Sequence, residues 1–202
     1  MSKMAKARRW SVLVAVLAAG GTFAGAVIAS QFGGRGPGPE GLEAAIRTDP
    51  VFEVAEIPAE GGLGKRGVFV QPTSAGFVCL WDASNATSRA RLGGCNDEDD
   101  PFNGQKLFVS LAYEGGPAVA EVKDARLIGL VPLEVAGVDV LMSDGTRRAM
   151  PLRTVSVRGT AYRAFGYRFK RADLRAGVAP TTVVALDVAG REIDRQATGF
   201  GG

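Results

Sequence analysis

The sequence predicts a mainly β protein, an antiparallel β-sandwich domain that is preceded by one N-terminal transmembrane or signal helix. Three features predict this architecture: an uncharged apolar stretch near the N-terminus, little helical periodicity after residue 50, and short apolar or β-branched runs that alternate with turn residues. Hydrophobic residues make up 46% of the 202 residues and charged residues 22%. This composition is typical of a globular chain rather than a disordered one.

Residues 10–30 predict a membrane-spanning helix. This stretch contains no charged residue, and as a helix it would be about 31 Å long, which matches a hydrocarbon core of about 30 Å. Residues 1–9 form a basic tail with four cations and no acid. Because positive flanks stay inside, we expect this tail in the cytoplasm and the C-terminal domain outside.

Two further features concern this N-terminal region. Small residues at positions 24–29 leave a cleaved signal peptide as the alternative, and cleavage would release a secreted protein. Gly21 and Gly25 form a small-xxx-small pattern that lets two membrane helices pack closely. Residues 31–41 are rich in Gly and Pro, which predicts a linker between the membrane segment and the domain.

The domain is expected over residues 42–199, as a single unit with 42–124 and 125–199 as possible halves. A short helix is predicted at residues 42–47. Asp144-Gly145 predicts a tight hairpin, and Pro151 predicts a bulge or an edge position. The apolar runs predict strands at residues 67–71, 77–81, 106–114, 119–123, 125–131, 138–142, 147–157, 161–170, 182–188 and 191–196.

The absence of histidine limits the chemistry of the chain. With no His among 202 residues, imidazole general-base catalysis, Ser-His-Asp and Cys-His nucleophile pairs, and His-ligated metal sites are excluded. The glycine, serine and lysine motifs of phosphate-binding loops and of common hydrolases are also missing. We therefore expect no cofactor and no enzymatic activity, with a hydrolase that uses only carboxylates as the alternative.

Cys79 and Cys95 are the only cysteines of the chain. Both lie on the side that is expected to leave the reducing cytoplasm, where thiols tend to be oxidised. With two cysteines only one intramolecular pairing exists, so we expect a structural disulfide across a separation of 16 residues.

The charges divide the chain. Residues 31–124 hold 8 basic and 14 acidic side chains, a net charge of −6, whereas residues 125–202 hold 12 and 7, a net charge of +5. In the acidic half, Asp97, Glu98, Asp99 and Asp100 are consecutive carboxylates. Carboxylate oxygens are calcium ligands, so the segment is a candidate calcium site, with a solvated acidic loop as the alternative.

The basic half contains many cations on predicted strands. Arg163, Arg168, Lys170 and Arg171 are the candidates for a patch that binds an anionic polymer, a lipid headgroup or an acidic protein. The alternative is that these side chains simply face solvent. Because the domain is expected outside the cytoplasm, nucleic acid is not an expected partner.

The C-terminal hairpin patterns VDVLMSDGTRR and VVALDVAGREID are similar to the terminal hairpins of immunoglobulin-like and carboxypeptidase-regulatory-like modules. The chain also resembles exported, single-anchor actinobacterial proteins of unknown function. The resemblance covers about residues 125–197 and implies a sandwich module, without functional residues. It favours a membrane-anchored bacterial protein with a structural or binding role at the cell envelope; a membrane regulatory or sensor subunit is a further alternative.

Overall fold

The structure, a computed structural model, describes residues 39–88 and 91–200. The predicted membrane segment, including Gly21 and Gly25, lies outside the described residues. In the part of the chain that is described, no helix is both long enough and apolar enough to cross a bilayer. The two α-helices among these residues are short, α1 at Pro39–Thr48 and α2 at Arg171–Arg175, and a 3-10 turn covers Val119–Glu121.

The prediction of a mainly β protein is confirmed. Within the described residues, twelve strands form three four-stranded antiparallel sheets. Sheet A contains, in spatial order, β1 (Phe52–Ile57), β2 (Arg66–Pro72), β3 (Phe77–Ala83) and β4 (Leu92–Asp97). Sheet B contains β5 (Phe108–Gly115), β6 (Val122–Pro132), β10 (Thr160–Arg168) and β9 (Arg153–Val157). Sheet C contains β12 (Glu192–Ala197), β11 (Pro180–Leu186), β7 (Gly137–Met142) and β8 (Arg147–Ala149).

Sheet B lies between the other two sheets. Ile128 and Leu130 on one face of β6 belong to the apolar core shared with sheet A, whereas Leu127 and Val131 on the other face belong to the core shared with sheet C. Side chains alternate between the two faces of a strand, so β6 serves both cores because residues 127–131 carry no polar side chain on either face. Eight consecutive buried residues, 124–131, follow from this position.

Sheet A approaches sheet B closely at Gly166 of β10. A Cβ atom at this position would lie 2.7 Å from Cγ1 of Ile57 and 2.7 Å from Cγ2 of Val68. Any side chain there would push the two sheets apart, because a packed core leaves no room for additional atoms.

Helix α1 covers the outer face of sheet A. Leu42 belongs to an apolar cluster with Phe69, Trp81 and the two cysteines, against which Ile46 also packs. Sequence periodicity predicted this helix at residues 42–47, and the structure confirms it with one more turn.

Several element boundaries differ from the predictions. The predicted strands 119–123 and 125–131 are one strand, β6, after a 3-10 turn; the predicted strand 147–157 is two strands, β8 and β9, in different sheets. Pro151 lies between them, where a residue without an N–H is tolerated. Strands β1 and β4 and helix α2 were not predicted. The Asp144-Gly145 turn is confirmed, with Gly145 at a φ of 81°.

Candidate functional site: an exposed cluster of cations

The four cations predicted to form one patch have three different environments. Arg163 is half-buried, and its Nη1 donates to the carbonyl of Val135 at 2.7 Å. Arg168 is 5% exposed and belongs to a buried network. Only Lys170 and Arg171, which begin helix α2, are exposed. The structure therefore brings two of the four residues together at the surface, leaves Arg163 half-buried and removes Arg168 from the surface.

The buried network joins sheets A and B through two aspartates. Asp82 of β3 is fully buried and accepts hydrogen bonds from Arg66, at 3.0 and 3.3 Å, and from Arg126. Asp124 of β6 accepts from Arg126 and, at 3.0 Å, from Nε of Arg168. A buried charge is tolerated when it is paired and hydrogen-bonded, and both aspartates meet this condition.

Arg126 is at the centre of this network and is fully buried. Burial alone would lower the pKa of its guanidinium, but the charges of Asp82 and Asp124 outweigh burial and raise that pKa above its ordinary value. Its Nη2 lies 3.1 Å from the half-exposed Glu114 carboxylate, yet the geometry is not that of a hydrogen bond. Arg126 is therefore a permanent buried cation and is not a surface ligand site.

Arg168 also attaches a loop to the sheets. Its two terminal nitrogens donate to the backbone carbonyls of Pro58 and Gly64, the latter at 3.0 Å. The loop between β1 and β2 contains Gly61 and Gly62, both at positive φ, and packs few apolar side chains. Charge-assisted hydrogen bonds from one arginine therefore hold it in place.

Lys170 and Arg171 have two cationic neighbours that share their exposure. The N–H of Phe169 donates to the carbonyl of Ala125 at 2.9 Å, so the end of β10, which Lys170 follows directly, lies beside the start of β6, which contains Lys123. Helix α2 packs against this part of β6 and against the 3-10 turn. We call Lys123, Lys170, Arg171 and Arg175 the basic cluster.

The side chains of the basic cluster are free of ion pairs with any of the described residues. Two neighbouring acids form ion pairs with other arginines. Asp173 pairs with Arg148 at 3.4 Å, and Asp124 pairs with the buried Arg126 and Arg168. Glu121 is an exposed acid in the 3-10 turn. Four cations against one unneutralised acid leave a local positive potential, which attracts anions and weakens as salt is added.

The acidic segment shows no convergence on a metal site. The side chain of Asp97 accepts from the N–H of Asp99 at 3.0 Å, which is a local turn contact, and Glu98, Asp99 and Asp100 are exposed. Across residues 39–88 and 91–200, no group of three Asp, Glu or Cys side chains could hold a metal ion. The calcium prediction therefore gains no support from the arrangement.

A cavity of about 80 Å³ lies between β5 and β12. Ser110, Tyr113 and Gln196 supply polar side chains to its lining, and Oε1 of Gln196 is buried without a hydrogen bond. A hydrolase that uses carboxylates needs two acids facing a substrate cleft, and this lining contains no acid. The cavity therefore does not favour the hydrolase alternative.

The disulfide prediction is confirmed. Cys79 of β3 and Cys95 of β4 are directly opposite each other in sheet A and are bonded, with an S–S distance of 2.07 Å. Both are buried in the apolar cluster beneath α1. The disulfide therefore joins neighbouring strands at the place where the helix covers them.

Sequence reasoning missed the buried network and the part that Lys123 plays in the cluster. One signal was present: Asp124, Arg126 and Arg168 are charged residues within or beside long apolar runs. Their partners on other strands could not be found in the sequence, because Asp82 is 44 residues away from Arg126 and Asp124 is 44 residues away from Arg168.

Comparison with known proteins does not assign the chain to a family, because no family model, no curated protein and no solved structure matches it.

Proposed function

We propose that the chain is a single-pass membrane protein that presents its β domain outside the cell and binds an anionic component of the cell envelope without catalysing a reaction. The observation that carries this proposal is the basic cluster, four exposed cations that have no ion-pair partner among the described residues. In this proposal residues 1–9 stay inside, residues 10–30 span the bilayer, and residues 31–38 connect them to α1.

The buried disulfide supports the proposed location. A disulfide that closes within the core persists in an oxidising compartment and is rare in the cytosol. The uncharged segment at residues 10–30, with a basic tail before it, supplies the route out of the cytoplasm.

The proposed fold type is an antiparallel β-sandwich of the immunoglobulin-like or carboxypeptidase-regulatory-like kind. The antiparallel pairing and the apolar core between sheets B and C support it. The resemblance to exported actinobacterial proteins stays a prediction. No contact among the described residues favours the hydrolase or the sensor alternative.

The basic cluster fits a polymer or surface that carries closely spaced negative charges. Long, exposed cationic side chains contribute about 1 kcal/mol each next to an anionic surface. Four of them on one short stretch of surface act together, whereas isolated surface charges pair weakly. Phosphate or carboxylate groups are therefore the expected ligand chemistry.

Charge reversal tests the proposal. The full chain in neutral detergent is titrated with a fluorescently labelled glycerol-phosphate polymer, with uncharged dextran as the negative control, and binding is measured by fluorescence anisotropy. Removing two of the four contacts, in the double variant Lys170→Glu with Arg171→Glu, is expected to weaken binding about 30-fold. Added salt is expected to weaken binding of the unaltered protein.

The matched control carries the same change of net charge elsewhere. Arg153 and Arg158 are exposed on β9 and in the turn after it, so Arg153→Glu with Arg158→Glu is expected to leave most of the affinity intact. Equal losses in both double variants would mean that only net charge matters, and the cluster would be rejected as the site. Polymer binding that does not weaken as salt is added would also reject the cluster as the site.

A further inference from the structure

Among the described residues, strand β5 pairs on one side only. It lies at the edge of sheet B and pairs with β6 along Phe108–Gly115. The cavity of about 80 Å³ lies beside it, and Val109, Ser110 and Leu111 all contribute to its lining. Because side chains alternate between the two faces of a strand, a cavity that contacts three consecutive residues runs along the backbone of β5.

The hydrogen-bonding groups of β5 alternate between β6 and the open edge. In an antiparallel pair, opposite residues that exchange two hydrogen bonds alternate with opposite residues that exchange none. The N–H of Phe169 donates to the carbonyl of Ala125, the next pair in the β10–β6 register, so the odd-numbered residues of β6 bond to β10. The even-numbered residues of β6 therefore bond to β5, at Phe108, Ser110 and Ala112.

The backbone groups of Val109, Leu111 and Tyr113 consequently point away from β6, toward the open edge. In the described part of the chain, their N–H and C=O groups have no hydrogen-bond partner. The side chains of the three residues are half-buried because they pack against the core between sheets B and C. A row of free donors and acceptors at strand spacing is complemented by the backbone of an extended peptide.

Strand β5 also differs from the other described edge strands in its lack of protection. Proteins usually prevent unwanted pairing at an edge by short length, charge, proline or a bulge. Strands β8 and β9 are short and contain arginine, β1 has a bulge, β12 carries three charged residues among six, and β4 contains two consecutive glycines. Strand β5 is the longest of these edge strands, residues 108–113 are uncharged, and its bulge lies at its end, between Glu114 and Gly115.

The cavity can hold one side chain of such a peptide. Residues directly opposite each other in neighbouring strands point to the same face, so a residue opposite Leu111 would point toward sheet C, where the cavity lies. The cavity is about half the size of one that holds benzene, roughly 150 Å³, so it fits an aliphatic side chain rather than an aromatic one. Oε1 of Gln196 is a buried acceptor in its lining without a donor among the described residues. A small side chain with a hydroxyl group, such as that of threonine, meets both conditions.

From this geometry we infer that the open edge of β5 binds an extended segment of a partner protein as an additional strand of sheet B. Val109, Leu111 and Tyr113 supply the backbone hydrogen bonds, and the cavity takes one small side chain that donates to Gln196. The segment is uncharged where it crosses the cavity, because the lining contains no charged residue. This interaction does not depend on the basic cluster or on its anionic ligand.

A synthetic peptide tests the open edge. The probe is the fluorescently labelled peptide Lys-Thr-Val-Thr-Val-Thr-Lys, and the control is the same peptide with methyl groups on the backbone nitrogens of its five central residues. Binding to the full chain in neutral detergent is followed by fluorescence anisotropy. The unmethylated peptide is expected to bind saturably. The methylated peptide is expected to bind at least about 10-fold more weakly, because it cannot donate backbone hydrogen bonds to the edge.

Two proline variants locate the binding site. Leu111→Pro removes an N–H that points to the open edge and leaves the hydrogen bonds to β6 in place, so it is expected to weaken peptide binding about 10-fold. Ser156→Pro is the matched control on β9, at the opposite edge of sheet B. Its neighbours Val155 and Val157 bond to β10, so the N–H of Ser156 also points outward. This variant is expected to bind the peptide like the unaltered protein.

Near-UV circular dichroism and formation of the native disulfide report the folding of both variants. Binding of the glycerol-phosphate polymer is expected to be the same in both, so the basic cluster and the open edge are tested separately. The inference would be overturned by absence of peptide binding, by equal binding of the two peptides, or by equal losses in the two proline variants. Self-association of the unaltered protein that Leu111→Pro abolishes would assign the edge to a second copy and would also overturn it.

Discussion

At the scale of single residues, the buried charges between sheets A and B have the largest expected effect on stability. Asp82 neutralises Arg66 and Arg126, and Asp124 neutralises Arg126 and Arg168. Taking charges out of water is costly, and their mutual attraction offsets that cost only while every partner is present. The network therefore behaves as a unit, and its contribution becomes visible when one member is removed.

Replacing Asp82 by asparagine is expected to destabilise the protein by about 3–5 kcal/mol, because the fully buried Arg126 and the half-buried Arg66 would lose a shared counter-charge. Unfolding of the full chain in neutral detergent, followed by near-UV circular dichroism, measures the change. Asp99→Asn removes the same charge from an exposed loop and is expected to cost less than about 0.5 kcal/mol. Similar losses for both substitutions would contradict the role given to the network.

Asp49, just after α1, makes stability depend on pH. The N–H and the hydroxyl of Ser74 donate to its carboxylate at 2.5 and 2.9 Å, and these bonds hold the pKa of Asp49 below its ordinary value. A carboxylate whose pKa is lower in the folded state stabilises that state above the unfolded pKa of about 4, and this contribution is lost as the pH falls toward the folded pKa.

We therefore expect Asp49→Asn to lower the unfolding temperature at neutral pH and to flatten the fall in that temperature as the pH drops through about 4. Thermal unfolding at a series of pH values measures this slope. Asp144, Asp187 and Glu192 also have lowered pKa values because side chains or backbone groups donate to them, so part of the slope is expected to remain. An unchanged slope would show that the Ser74 contact does not stabilise the folded protein.

At the scale of elements, helix α1 is attached to sheet A by polar as well as apolar contacts. The side-chain nitrogen of Gln71 on β2 donates to the carbonyls of Ile46 and Asp49 at 3.1 and 2.8 Å. The last carbonyls of a helix have no hydrogen-bond donor within the helix, and the buried side-chain amide of Gln71 donates to them instead. Arg91 donates to the oxygen of the same Gln71 at 3.1 Å, so one buried side chain joins the helix, β2 and the β3–β4 loop.

The disulfide stabilises the sheet beneath this helix. Linking β3 to β4 across a separation of 16 residues contributes about 3 kcal/mol in the chain-entropy description, because the unfolded chain loses freedom. Adding a reductant under unfolding conditions is therefore expected to lower the free energy of unfolding by about that amount.

The variant Cys79→Ala with Cys95→Ala provides the control, because its unfolding is expected to be insensitive to the reductant. In the folded protein the reductant is expected to act slowly, since both sulfur-bearing residues are buried. If the unaltered protein unfolds at the same denaturant concentration with and without reductant, the disulfide does not contribute as described.

Element types were easier to predict than element membership. The amphipathic run at residues 42–47 and the Asp144-Gly145 turn carry local signals, and both are confirmed. Strand β1, FEVAEI, and strand β4, LGGCND, carry weak local signals, since glycine and acidic residues are depleted in strands. Their pairing with β2 and β3 outweighs those local preferences, and that pairing depends on tertiary contacts.

At the scale of the whole molecule, the opposite net charges of the two chain halves meet in the structure. Asp82 in the acidic half pairs with Arg126 in the basic half, and Lys106 pairs with Glu134. The division of charge along the sequence therefore does not produce two surfaces of opposite sign. Part of the opposite charge of the two halves is neutralised by ion pairs inside the fold, and the cations of the basic cluster stay exposed near α2.

The stacking of three sheets also decides which residues could be recognised as a site. Lys170 and Arg171 were predicted as ligand-binding residues and are exposed, whereas Arg168, two residues earlier, is buried on β10. Alternation along a strand predicts that neighbouring side chains point to opposite faces of the sheet. It does not predict that Arg168 is buried, because that depends on both faces of sheet B being covered by other sheets. The position of β10 in this middle sheet explains why Arg168 is buried and fully paired.

The sequence by itself determined the β class, the disulfide pairing, helix α1 and the hairpin turn, because each rests on local patterns or on a pairing with one solution. The tertiary structure alone decided which charges are buried and which strands share a sheet. The physical reason is distance along the chain: the contacts of Arg126 with Asp82 and of Arg168 with Gly64 join residues 44 and 104 positions apart. No local preference encodes such contacts, and they form only when the sheets pack together.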